Sequence, residues 1–235
     1  MRPPLAGVLV AAVCLSAGGA RGEETFSVVL KGTLTTGSRL FPHPASADPA
    51  ERAAYLPIEN SPGAGVEVRY RIPGTDILVG LSGEYLRARR EGVLPGLFSV
   101  PVPVEDGYRA WPVELTGYFR IPVAGPEVRI TMGGGGGVYF GERVYRVAGT
   151  AALPVDRTPG FGIHVLGGAG YRLADWCTVE AEMKFRDVQF ESVNAFREPE
   201  IFYGTMVVNV GGAPERARIE TDGVVFQIAV RIHVP

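Results

Sequence analysis

The feature that most restricts this chain is a two-residue alternation in which one parity is apolar and the other charged. In Val66-Glu67-Val68-Arg69-Tyr70-Arg71-Ile72, one set is Val, Val, Tyr, Ile and the other Glu, Arg, Arg. Thr178-Val179-Glu180-Ala181-Glu182-Met183-Lys184-Phe185-Arg186 repeats the pattern. At the C-terminus Val224, Phe226, Ile228, Val230, Ile232 and Val234 oppose Gln227, Arg231 and His233. Side chains of a strand alternate between its faces, so each stretch reads as a strand with one apolar and one polar side. Glu180 and Lys184 also stand at a helical spacing, but period two fits 178–186 better than period 3.6.

The same template places eight strands at about 25–37, 63–73, 76–88, 108–122, 127–141, 161–173, 177–191 and 222–234. Tight turns are expected at Pro73-Gly74-Thr75-Asp76, Val123-Ala124-Gly125-Pro126 and Ala174-Asp175-Trp176. Long polar loops are expected at about 38–62, 89–107, 142–160 and 192–221. A soluble sandwich has no reason to alternate short and long connections, whereas a barrel crossing an outer membrane does.

The polar parity holds Glu67, Arg69, Arg71, Glu84, Glu114, Arg120, Arg129, Arg172, Glu180, Glu182, Lys184, Arg186 and Arg231. Both signs are mixed, as in a lumen where charges pair across strands. Facing lipid, each mid-depth arginine would cost about 2–4 kcal/mol. Facing water, the apolar parity would still need a partner core. A single sheet closed on itself in a bilayer satisfies both faces and leaves no edge. Tyr85, Trp111, Phe140 and Phe161 fall near the long-loop ends, and Phe26, Tyr70, Phe119, Tyr171 and Trp176 near the short-turn ends. That is the arrangement of two interfacial aromatic girdles. The fold class is therefore all-β: an antiparallel, up-and-down transmembrane β-barrel of eight strands, with ten as the alternative.

Composition closes off other classes. At 46% hydrophobic and 20% charged residues the chain is not disordered, and a net charge of −2 argues against a nucleic-acid partner. Residues 1–22 have a secretory signal layout, with Arg2, an apolar run from Leu5 to Leu15 and a small-residue stretch ending at Ala20 or Gly22. The barrel domain is then 23–235. With Cys14 in the leader, Cys177 has no disulfide partner. His43, His164 and His233 are scattered, so neither a metal centre nor a cofactor is expected.

In these alternations, turns and final strand the chain resembles the small eight-stranded bacterial outer-membrane barrels, the OmpA-, OmpX- and OmpW-like group. The resemblance covers nearly all of 23–235. It implies outer-membrane location with both termini periplasmic. Its implied partners are outer-membrane lipid, lipopolysaccharide and the barrel-assembly machinery. The chain ends Arg231-Ile232-His233-Val234-Pro235, without the terminal aromatic residue usual in that group.

The leading functional reading is a structural or surface-interaction barrel with a charge-filled lumen, its loops carrying specificity. Eight strands leave an interior just wide enough for side chains. The alternatives are a narrow conduit for small apolar ligands, as in OmpW-like barrels, and a lipid-modifying enzyme. His164 has no serine in its local run, which counts against the enzyme. Residues 201–210 read as a further strand, assigned to a hairpin excursion of the fourth loop because nine strands would leave the C-terminus outside. The run Gly133 to Gly137 faces a second small-residue run at Gly167, Gly168, Ala169 and Gly170. It provides room for lumen neighbours such as Glu114 and for bending, or else, through outward Gly134, Gly136, Gly167 and Ala169, a thin wall. Arg87-Ala88-Arg89-Arg90 reads as a solvated strand end or as a contact for lipopolysaccharide phosphates.

Overall fold

A computed structural model describes residues 25–95, 101–122 and 127–234. The leader assigned to 1–22, residues 96–100 of the second loop, the turn at 123–126 and Pro235 lie outside the described residues. The strands are β1 (Phe26–Phe41), β2 (Leu56–Arg71), β3 (Ile77–Pro95), β4 (Pro101–Ile121), β5 (Val128–Val147), β6 (Thr150–Ala151), β7 (Leu153–Thr158), β8 (Gly160–Ala174), β9 (Cys177–Ala195), β10 (Glu200–Tyr203), β11 (Met206–Asn209), β12 (Glu215–Glu220) and β13 (Val224–Val234). One short helix, α1 (Pro49–Ala53), precedes β2.

Eight strands close a ring in the order β1, β2, β3, β4, β5, β8, β9, β13, every neighbouring pair antiparallel. The seam is β13 on β1, running from Phe26↔Val234 to Thr35↔Val225. Both ends of the ring therefore lie on the short-turn side. There Gly74 turns β2 into β3 with φ +72°, and Asp175 and Trp176 alone join β8 to β9. β7 prolongs β8 along β9 after a break at Pro159, which has no N–H to donate. β12 likewise prolongs β13 between β9 and β1. The 201–210 stretch becomes the separate hairpin β10–β11, turned at Gly204 with φ +63°. The ring has eight strands and not ten.

The long connections differ from expectation, because the strands run well into them. β3 and β4 stay paired up to Pro95↔Pro101, and β5 folds back onto β6 through Ala148 and Gly149 alone, both at positive φ. The region expected as a loop at 142–160 is thus mostly strand, and α1 occupies part of the first loop. The reason is a reversal of polarity. Below the level of Tyr85 and Trp111, apolar residues face out and charges face in. Above it, Leu40, Ile58, Leu86, Tyr108, Tyr139, Phe190 and Ile219 face in as a packed cluster, Arg143 and Asp106 form a buried inward pair, and most other arginines and glutamates face out. The upper part follows the rule of a sheet in water, apolar inside; the lower part follows that of a sheet in lipid.

The outer surface of the lower part is a continuous apolar band that includes Leu30, Val68, Leu81, Leu115, Met132, Val165, Phe185 and Ile228, all exposed. Patches of this extent are foreign to water-soluble monomers. Trp111 and Phe119 bound it on β4 eight residues apart. That separation is about 26 Å along a strand and about 20 Å vertically at a tilt of roughly 40°. At the rim, Phe196 and Ile201 pack with Val102, Val147 and Ala152, so the β10–β11 hairpin lies against the tips of β4 and β5.

Candidate functional site

Inside the ring, inward parity brings one residue in two from each strand to the axis. Five carboxylates, Glu67, Glu84, Glu114, Glu180 and Glu182, meet five cations, Lys31, Arg69, Lys184, Arg186 and Arg231, and all ten are buried. Arg69 is the hub of the lower tier. Its guanidinium reaches Glu67 at 3.1 Å, Glu180 at 2.9 Å and Glu182 at 3.0 Å, and lies 4.1 Å from the Tyr118 ring centroid. Arg231 adds a second contact to Glu180 at 2.7 Å. In the upper tier the Lys184 ammonium bridges Glu84 at 3.0 Å and Glu114 at 2.7 Å. Lys31 links the tiers, 3.3 Å from both Glu67 and Glu84. The Tyr118 hydroxyl donates to Glu67 at 2.7 Å, and that of Tyr139 donates to Glu114. Charges this buried persist only when paired and hydrogen-bonded.

Four members of the sequence-derived set stand apart. Arg71, Arg120, Arg129 and Arg172 are half-buried at the short-turn mouth, where Arg120 feels the like charges of Arg129 and Arg71. The other nine belong to the buried network. Sequence reasoning missed Lys31, Tyr118, Tyr139 and Thr116. Their signal was available, since each shares the inward parity of charged residues on its own or a neighbouring strand.

Glycine explains how so many long side chains fit. Glu84 is registered with Gly65, Glu114 with Gly137, Glu182 with Gly168 and Glu180 with Gly170. A Cβ on Gly65, Gly137 or Gly168 would come within 2.7–2.9 Å of the facing glutamate stem. A Cβ on Gly80 would run into the Glu67 carboxylate. The β5 run does more. Gly135 lies between Thr116 on β4 and His164 on β8, and across it Thr116 Oγ1 and His164 Nε2 meet at 2.9 Å. Gly133 likewise lets Tyr118 pack on Leu166. Outward, Gly134 and Gly136 come close to β8 carbonyls, a Cβ there lying 3.1 and 3.2 Å from the oxygens of His164 and Gly162. Gly167 and Ala169 are exposed. A groove of about 580 Å³ opens on the outer wall beside them, lined by Ile77, Gly117, Phe119, Met132, Gly133 and Val165.

Thr116, His164 and Glu114 stand in the order hydroxyl, imidazole, carboxylate, with His164 Nδ1 3.9 Å from Glu114. The hydroxyl comes from the neighbouring β4 by register, which no local run around His164 could reveal. None of the three is more than 3% exposed, and Arg186 is paired opposite His164 on β9. The apolar cluster with Tyr108 and Phe190 closes the lumen above.

No protein-family model matches the sequence. No curated protein matches it either. Solved structures do. The outer membrane protein OprG from Pseudomonas aeruginosa superposes with a TM-score of 0.52 at 11% identity, over 89% of this chain and 97% of that one. Neisserial surface protein A gives 0.46 at 11% identity, over 89% and 97% of the two chains. Ail, the attachment invasion locus protein of Yersinia pestis, gives 0.42 at 12%, over 90% and 100%. Ring, girdles and the match to OprG agree: the chain has the fold of the small eight-stranded outer-membrane β-barrels.

Proposed function

We propose that the protein is a closed outer-membrane barrel with a structural or surface-interaction role, its short turns and both termini periplasmic. The observation that carries this reading is the filled lumen. A layer of ten buried charges is overlain by a packed apolar layer of Leu40, Leu86, Tyr108, Tyr139, Phe190 and Ile219. General diffusion needs an aqueous path, and a conduit for apolar ligands needs space beside that upper layer. On this reading the extended β3–β4 and β5–β6 arms and the β10–β11 hairpin present the contact surface to the outside. The partners are membrane lipid, lipopolysaccharide and, during insertion, the barrel-assembly machinery.

Planar-bilayer recording tests the proposal. Purified wild-type protein should insert without a steady open level. Removing the apolar layer with Tyr108→Ala and Phe190→Ala should leave the charged layer as a second barrier and still give no large conductance. A stable open level in the wild-type protein would return the barrel to the transport class.

A further inference from the structure

We infer that the arginines directly above the upper girdle on β3, β4 and β7 form a site for the phosphate of a membrane-lipid headgroup, an inference that rests on the barrel spanning a bilayer as proposed above. The register defines the site. The Tyr85 and Trp111 rings lie 5.8 Å apart, and Trp111 is paired with Phe140. One outward position higher, Arg87 is paired with Arg109 and Arg109 with Glu142. Two residues of strand are about 7 Å. Aromatic rings of this kind settle at the membrane–water boundary, so the row above them stands at headgroup height.

The charge on that row is unbalanced. Arg109 and Arg157 both pair with Glu142. Arg87 faces Arg109 directly and has no ion pair among the described residues. Like charges directly opposite on a sheet repel, so three arginines against one glutamate call for an outside anion. The excess is local. In the next two rows Arg89 and Arg146 pair with Glu105, at 3.4 and 3.1 Å, and Glu91 lies opposite Glu105. Across the barrel, Arg39, Arg216 and Arg218 are matched by Glu191, Glu220 and Asp222.

Guanidinium groups hold phosphate oxygens in a planar, bidentate fork. A lipid supplies the phosphate at the right height because its acyl chains lie on the apolar band below. That tether gives it a high local concentration, whereas a free phosphate ion at an exposed site is screened by salt.

The test uses the full-length mature barrel in nanodiscs of phosphatidylcholine containing a minor fraction of bisphosphorylated lipid A or its dephosphorylated form. Native mass spectrometry counts the lipids retained on release. Wild-type protein should retain the phosphorylated glycolipid over both comparators by about tenfold or more, the order expected for two basic residues at an anionic surface. The Arg87→Gln/Arg109→Gln variant should lose that preference. Arg216→Gln/Arg218→Gln on the opposite wall should keep it, and millimolar inorganic phosphate should not displace the lipid. A preference equal in wild type and the Arg87/Arg109 variant overturns the site. Ready displacement by inorganic phosphate overturns its assignment to lipid. Heat-modifiable gel mobility reports folding and insertion separately. A chain that never inserts overturns the barrel reading as well, whereas one that inserts and retains all lipids alike overturns this inference only.

Discussion

Replacing Lys184 by methionine probes the lumen network most directly. Its ammonium is buried between Glu84 at 3.0 Å and Glu114 at 2.7 Å. At an effective dielectric of about 20 each contact is a gross attraction of roughly 6 kcal/mol. Most of this is offset by the desolvation of three ions, and breaking such a group by removing one partner costs about 3–5 kcal/mol. The two carboxylates are not stranded equally. Glu84 keeps Lys31 at 3.3 Å and Arg186 at 3.5 Å, whereas among the described residues Glu114 keeps the Tyr139 hydroxyl and, at 3.9 Å, His164. The cost of Lys184→Met is therefore mainly the orphaned charge on Glu114. Adding Glu114→Gln removes that charge and retains an acceptor for Tyr139. Urea unfolding in lipid vesicles, followed by tryptophan fluorescence, should show Lys184→Met destabilised by about 3–5 kcal/mol and the double variant recovering at least about 2 kcal/mol of it. If the two substitutions add without recovery, or the single variant costs under about 1 kcal/mol, the network is not the coupled unit described.

Two further outcomes follow from the geometry. Gly135→Ala drives a methyl group into the Leu115 carbonyl and between Thr116 and His164; it should destabilise by at least about 1–3 kcal/mol, while Gly117→Ala, with only the Gly134 carbonyl oxygen 3.8 Å away, should stay within about 0.5 kcal/mol, both read from urea midpoints. Val68→Arg and Val230→Arg place a cation on the exposed apolar band and should cost about 2–4 kcal/mol near mid-depth, seen as lost folding into vesicles; unchanged folding of both would mean that this face does not meet lipid.

The eight strands and their two faces were legible because a bilayer outside and a polar lumen inside impose opposite demands on successive residues. Val66 to Ile72 and Thr178 to Arg186 display those demands without interruption. The upper strand segments were not legible for the same reason. There neither face meets lipid, the inward positions turn apolar at Leu86 and Val188, and Pro101-Val102-Pro103 looks like loop although Val102 is buried in a paired strand. In β1 the parity itself changes around Gly37, from inward Thr35 to inward Ser38 and Leu40. The site was half legible. Parity could gather the charges, but it could not say that Arg69 would become the hub. Nor could it show that Gly135 would bring Thr116 to His164, because both depend on register between strands far apart in sequence.

The reversal of polarity also gives the barrel a waterline. Sinking by one outward row would carry Arg87 and Arg109 into hydrocarbon, at about 2–4 kcal/mol for each that reached mid-depth and less near the boundary. Rising by one row would lift Tyr85, Trp111 and Phe140 into water, each with the 39–49% of its surface that faces outward to rehydrate. With both displacements opposed, the protein cannot adjust its draught to the membrane it enters. The spacing of the girdles, about 20 Å between Trp111 and Phe119 on β4 and about 25 Å between Phe161 and Tyr171 on β8, suits the thinner-than-average hydrocarbon of an outer membrane. In a thicker, average bilayer of roughly 30 Å the accommodation would fall to the lipid, which would thin into a shallow collar around each copy.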